Sequence, residues 1–139
     1  MKTLVSPRRQ QGIAMVEAMV AIVLLAIGLV GTVGMQARAV AALNDAGQRA
    51  EATMAADKLL GVMNADAGNL ANYALALNGT PTSAIQPWVN ETRTYIPGAK
   101  LSVVVTPQNR RTQVDITIKW TRRAGDPENQ HLVTAYIGN

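Results

Sequence analysis

From Ala18 to Met35 the chain runs eighteen residues without a charge, AMVAIVLLAIGLVGTVGM; extended back to Ile13 the stretch is 23 residues long, interrupted only by Glu17. At 1.5 Å per residue, a helix of that length spans roughly 35 Å, enough for the hydrocarbon core of a bilayer. A core helix of a soluble protein would show a polar stripe, and this run shows none. Lys2, Arg8 and Arg9 precede it, with no acid in the first twelve positions. By the positive-inside tendency this keeps the N-terminus cytoplasmic and sends the remainder outward. The same three residues explain most of the net charge of +4, because from Ile13 onward 10 basic residues face 9 acidic ones. The high pI is therefore a property of the first twelve residues and does not mark a nucleic-acid binder.

With no cysteine in 139 residues, a disulfide framework, a Cys-ligated metal and a Cys nucleophile are all excluded. A lone histidine, His131, argues against a His-rich metal site or a Ser-His pair; it opens a strand-like run and is expected to face solvent. No H-E-x-x-H, phosphate-binding loop or G-x-S-x-G appears. The expectation is a protein with neither enzymatic activity nor a cofactor.

Two processing schemes compete for the apolar run. In ordinary secretion, Ala37-Arg38-Ala39 is a small-x-small cleavage site and a soluble domain is released from Val40. Secretory apolar regions span about 7 to 15 residues, however, and good helix formers continue past Ala39. The second scheme cuts between Gly12 and Ile13, where the polar string Ser6-Pro7-Arg8-Arg9-Gln10-Gln11-Gly12 gives way to Ile13-Ala14-Met15-Val16-Glu17. A glycine lets the backbone enter a tight protease site, and such a cut keeps the anchor and creates a charged amine on Ile13.

A short basic leader ending in Gly, an apolar residue next, Glu five positions into the product and an unbroken apolar helix resemble the class III signal of type IV pilins and pseudopilins. The string from Met15 to Gly31, followed by Met35-Gln36-Ala37-Arg38, looks most like PilV-type minor pilins. The close resemblance covers about residues 8 to 38. Ile13 stands where the family often has an aromatic residue or Met, and Gly34 where many major pilins carry a helix-bending proline. The resemblance implies cleavage after Gly12 and N-methylation of Ile13 by a prepilin peptidase. It implies residence in the bacterial inner membrane with the head in the periplasm, then passage into a pilus. The implied partners are other minor pilins, the major pilin, an inner-membrane assembly platform and the membrane lipid; the implied role is priming or promoting assembly of a type IV pilus, and with it twitching motility. A type II secretion pseudopilin is the rival within the class. A periplasmic binding domain, released after Ala39 or held by a plain anchor, is the rival outside it.

Glu17 carries the sharpest expectation. A carboxylate near the bilayer centre costs about 2.5–3.5 kcal/mol. Near the cytoplasmic boundary it would simply meet water or favour the helix N-terminus. Beside the Gly12-Ile13 signal a second role arises: in a bundle of packed helices, Glu17 can neutralise the Ile13 amine of a neighbour and fix axial register, as a buried polar residue does in a coiled coil. Gly28, Gly31 and Gly34 recur every three residues. They suit close helix packing or a softened helix segment.

The fold class expected is α+β and pilin-like: a long N-terminal helix packed on a small antiparallel sheet of about three strands. Residues 13–66 read as one helix of roughly 80 Å, since no proline occurs between Pro7 and Pro81. Its divisions are a leader (1–12), a membrane and assembly half (13–36) and a head-packed half (37–67), followed by the head (68–139). The stripe expected to face the head is Val40, Leu43, Gly47, Ala50 and Met54, shifting to Ala55, Leu59, Val62 and Met63. Asn69–Leu77 suggests another helical turn or two, Pro87–Thr92 opens a short helix and Pro97-Gly98 is a turn. Period-two alternation then places Leu101, Val103 and Val105, then Val114, Ile116, Ile118 and Trp120, then Val133, Ala135 and Ile137 on the inner face of a meander. Residues 93–123 hold seven basic residues and one acid, while 40–91 hold five acids against Arg49 and Lys58. Such segregation suits contacts between stacked subunits or an internally balanced surface; DNA binding is disfavoured by the scarcity of exposed aromatics.

Overall fold

The proline-free stretch forms a single helix, α1 (Gln11–Ala65), in the structure, a computed structural model that describes residues 11–138. A 3-10 segment (Ala67–Tyr73), a second helix α2 (Gln86–Tyr95) and three strands follow: β1 (Lys100–Pro107), β2 (Arg111–Trp120) and β3 (Asn129–Gly138). The strands form one antiparallel meander in the order β1-β2-β3. The α+β, pilin-like layout is thus a long N-terminal helix followed by a three-stranded antiparallel sheet. The chain divides into two compact units between Leu43 and Asn44. The leader, apart from Gln11 and Gly12 of α1, lies outside the described residues.

In the second unit one core joins α1, α2 and the sheet. Its members include Ala52, Ala56, Leu59 and Met63 of α1, Ile85 before α2, Trp88 and Val89 of α2, and Leu101, Val103, Val114, Ile116, Ile118, Trp120 and Ile137 of the sheet. Burial alternates without a fault along β2, which has neighbours on both sides. Val133 and Ala135 of the edge strand share the inner face but are only half-buried. Trp88 donates its indole N–H to the Ala55 carbonyl at 2.7 Å, fastening α2 to α1. Leu75 pairs with Val103 through two backbone hydrogen bonds of 2.9 and 2.8 Å, which covers part of the β1 edge. Gly98 follows Pro97 at φ +76°, a left-handed conformation that glycine adopts without steric cost, and closes the turn into β1.

Two expectations are corrected. Of the expected stripe on α1, Leu59 and Met63 are buried in the head and Ala55 lies at the margin with Leu60, but the face is completed by Ala52 and Ala56. Val40, Leu43 and Met54 are exposed, as are Gly47, Ala50 and Val62. Alanine is a weak hydrophobic marker, but two of them four residues apart let a helix pack closely, so the true contact face carried little large apolar volume in its first turns. His131 does not point to solvent. It lies on the same face as Val133, Ala135 and Ile137, opposite Ile118, and its Nε2 is buried without a hydrogen-bond partner. A rule of alternation applied strictly places it inward; its polarity misled.

The sheet's cations are largely answered within the head. Lys100 and Lys119 sit directly opposite each other on β1 and β2, a repulsive cross-strand pair. Glu128 lies between them, 2.7 Å from Lys100 and 3.7 Å from Lys119. The hydrogen bond from Lys100 holds the Glu128 carboxyl below its ordinary range. A depressed folded-state pKa means that this contribution is present above the unfolded value and is lost as pH falls through the folded one. Lys100→Ala is expected to move the Glu128 midpoint back toward the ordinary carboxylate range, read by side-chain NMR titration; an unmoved midpoint would refute the assignment.

Candidate processing and assembly segment

Long aliphatic residues uninterrupted by proline let the N-terminal half of α1 run as a helix, and what they leave is an apolar cylinder. Within the described chain, Ile13, Met15, Val16, Met19, Val20, Ile22, Val23, Leu24, Leu25, Ile27, Leu29, Val30, Val33 and Met35 are all exposed. None of this run is buried against the chain's own residues, and its mean hydropathy over an 18-residue window is 2.7. By length and composition α1 is able to cross a membrane. A stretch this apolar needs lipid or other protein around it.

Ile13 and Glu17 stand one helical turn apart, roughly 6 Å along the axis. Both are exposed. Among the described residues Glu17 has no ion-pair or hydrogen-bond partner, so any partner must come from outside the described chain. The Gly12–Ile13 bond lies in the first turn of α1. At Gly28, Gly31 and Gly34 an added Cβ would meet nothing within 4 Å, and no left-handed φ is present. The chain's own packing therefore gives no reason for these glycines. Thr32 bonds its hydroxyl back to the Leu29 carbonyl at 2.8 Å, a contact that tends to bend helices slightly. Ala37, Arg38 and Ala39 lie in mid-helix, with no break before Ala65.

In the head, Glu51, Met54, Ala55, Lys58, Trp88, Glu91, Thr92, Tyr95 and Ile96 line a groove of about 310 Å³ between α1 and α2. Sequence reasoning did not assemble it, because it brings together residues some 40 positions apart whose types suggest no chemistry alone. Among the described residues no group of His, Cys, Asp and Glu suits a metal ion.

An exposed apolar helix ahead of a small α+β head is the layout of pilin-like proteins. Residues 7–33 match the family model described as the prokaryotic N-terminal methylation motif, a match that spans Gly12, Ile13, Glu17, Gly28 and Gly31. This motif indicates the type IV pilin and pseudopilin class, implies processing by a prepilin peptidase and assembly with other pilins, and suggests a structural protein. Neither a curated protein nor a solved structure matches the chain.

Proposed function

We propose that the chain is a minor pilin of a type IV pilus, cleaved between Gly12 and Ile13, methylated on the Ile13 amine and incorporated through its apolar helix. The observation that carries this reading is the methylation-motif match over residues 7–33, on a helix that runs unbroken from Gln11 to Ala65. Continuity through Ala39 supports a cut at the inner end over release of a soluble domain from Val40. Each subunit waits in the inner membrane with its head outside, residues 13–36 in lipid and 37–67 leading into the head. Assembly then exchanges the lipid around Ile13–Met35 for the helices of neighbouring subunits. Glu17 neutralises the Ile13 amine of a neighbour in that bundle, and Gly28, Gly31 and Gly34 permit close approach or stretching there. PilV-type character, and a role in priming assembly with other minor pilins, the major pilin and the inner-membrane platform, extend the same reading.

The mature N-terminus tests it. Intact-mass and N-terminal peptide mass spectrometry are expected to find methylated Ile13 as the first residue. A start at Val40 would identify a secreted domain, and uncut Met1 a plain anchor; either result ends the pilin reading. Deletion is expected to abolish or reduce surface fibres, whereas loss of protein secretion with fibres intact would identify a type II pseudopilin.

A further inference from the structure

The two edges of the sheet are treated differently. An edge strand presents a row of unpaired N–H and C=O groups, and natural sheets guard it with charge, proline, a bulge or a covering segment. The β1 edge is guarded: Lys100 and Pro107 stand at its two ends, and Leu75 pairs with Val103 between them. The β3 edge is bare. All ten of its residues pair with β2 on one side, and the register advances without a bulge. On the other side no backbone hydrogen bond to a further segment forms among the described residues. From Asn129 to Gly138 there is no Lys, Arg, Asp, Glu or Pro.

Both side-chain rows of β3 are also unfinished. On the outer face Leu132 and Tyr136 are 55% and 51% exposed. On the inner face Val133 and Ala135 are only half-buried, although their partners Ile116 and Val114 on β2 are fully buried. In the same inner row the buried Nε2 of His131 has no hydrogen-bond partner. A helix or loop laid here would cover one row and leave the ladder unpaired. An extended strand satisfies the ladder and flanks both rows at once.

A second copy does not fit this edge. Identical edges pair antiparallel about a two-fold axis perpendicular to the sheet. The Ala52–Met63 stretch of α1 packs on the sheet and so lies along its plane, and that rotation reverses it. The two α1 helices would leave their heads in opposite directions, which subunits anchored in one membrane cannot do. We propose that β3 takes up an extended, uncharged segment of a different pilin-type subunit as a fourth strand of the sheet. Main-chain hydrogen bonds supply the affinity, and the guest's alternating side chains complete the two rows, with a polar group for His131 on the inner one. The inference deepens the pilin reading and rests on it in one respect: the partner is another subunit anchored in the same membrane.

The test uses the full chain in living cells. Tyr136→benzoylphenylalanine keeps a para-substituted ring near Arg111, which lies 4.1 Å from the native ring centre, and places a photoreactive group in the exposed row. Irradiation is expected to link it to an uncharged segment of a different subunit that carries its own methylation signal, identified by peptide mass spectrometry. Val104→benzoylphenylalanine, equally exposed but on the guarded edge strand, is expected to give about fivefold less of that adduct. Leu132→Lys, at an exposed position that the fold does not need, should guard the edge and lower the Tyr136 yield about fivefold. No adduct, an adduct to β3 of a second copy or to a protein without the signal, equal yield from Val104, or indifference to Leu132→Lys would each overturn the proposal. The N-terminal mass of the same sample reports on processing: methylated Ile13 without the adduct sinks this inference alone, and a start at Val40 sinks the pilin reading with it.

Discussion

Glu17→Ala is expected to yield a chain that is cut after Gly12 and methylated at Ile13 yet enters filaments roughly tenfold to hundredfold less than the native chain. The reason is electrostatic. Under the proposed cleavage, an ammonium on Ile13 would stand at the end of an apolar cylinder whose large side chains are all exposed along the described chain. In the proposed membrane state that amine would sit at the bilayer boundary and meet water. Once α1 is surrounded by other helices, an unpaired charge at that depth costs several kcal/mol. Glu17, one turn along and without a partner among the described residues, is the group able to offset that cost on a neighbour. Without it the helix keeps its hydrophobicity but loses the one polar contact that distinguishes the correct axial step from its alternatives. Immunoblots of sheared filaments against membrane fractions measure the ratio, and the N-terminal mass confirms that processing was untouched. Incorporation at the native level would remove Glu17 from the assembly mechanism.

Much of this layout was legible because each signal had a single cause. A 23-residue apolar stretch and a gap without proline both demand a long helix, and α1 occupies it. Strict alternation from Val114 to Trp120 demands a strand covered on one face, and β2 is buried on every second residue. Legibility failed where small or polar residues made the decisive contacts. Ala52 and Ala56 hold the helix against the core by their lack of bulk, and a 3-4 stripe phased on the exposed Val40 and Leu43 passes beside them onto Ala50 and Met54. His131 is turned inward by its place in β3 although its side chain would prefer water. The α1–α2 groove depends on tertiary proximity alone: Glu51 and Glu91 read equally well as solvated surface until α2 folds across α1 and gives Lys58 to one and not the other.

The second large effect concerns where the head ends. A chain begun at Asn44, the boundary between the two compact units, is expected to be soluble and to unfold in one cooperative thermal transition. A chain begun at Gly68 is expected to show no such transition. The difference is not length but the inner face of α1. Leu59 and Met63 are at most 1% exposed, and Ala52 and Ala56 fill the space between helix and sheet. Losing a buried Leu or Met side chain costs about 2–5 kcal/mol each, and the whole stability of a domain is about 5–15 kcal/mol. Removing the helix also strips the Ala55 carbonyl from the Trp88 indole N–H and bares Ile116, Ile118 and Trp120 to water. With that face of the sheet uncovered, so short a remnant buries too little apolar surface to hold a folded state. Near-UV circular dichroism against temperature separates the two outcomes. Cooperative melting of the chain begun at Gly68 would mean that the sheet and α2 suffice, and that α1 serves the head only as a stalk. Loss of folding there, with the chain begun at Asn44 intact, would show instead that the outer part of α1 is core: one continuous element then carries both the apolar segment and the face on which the head is built.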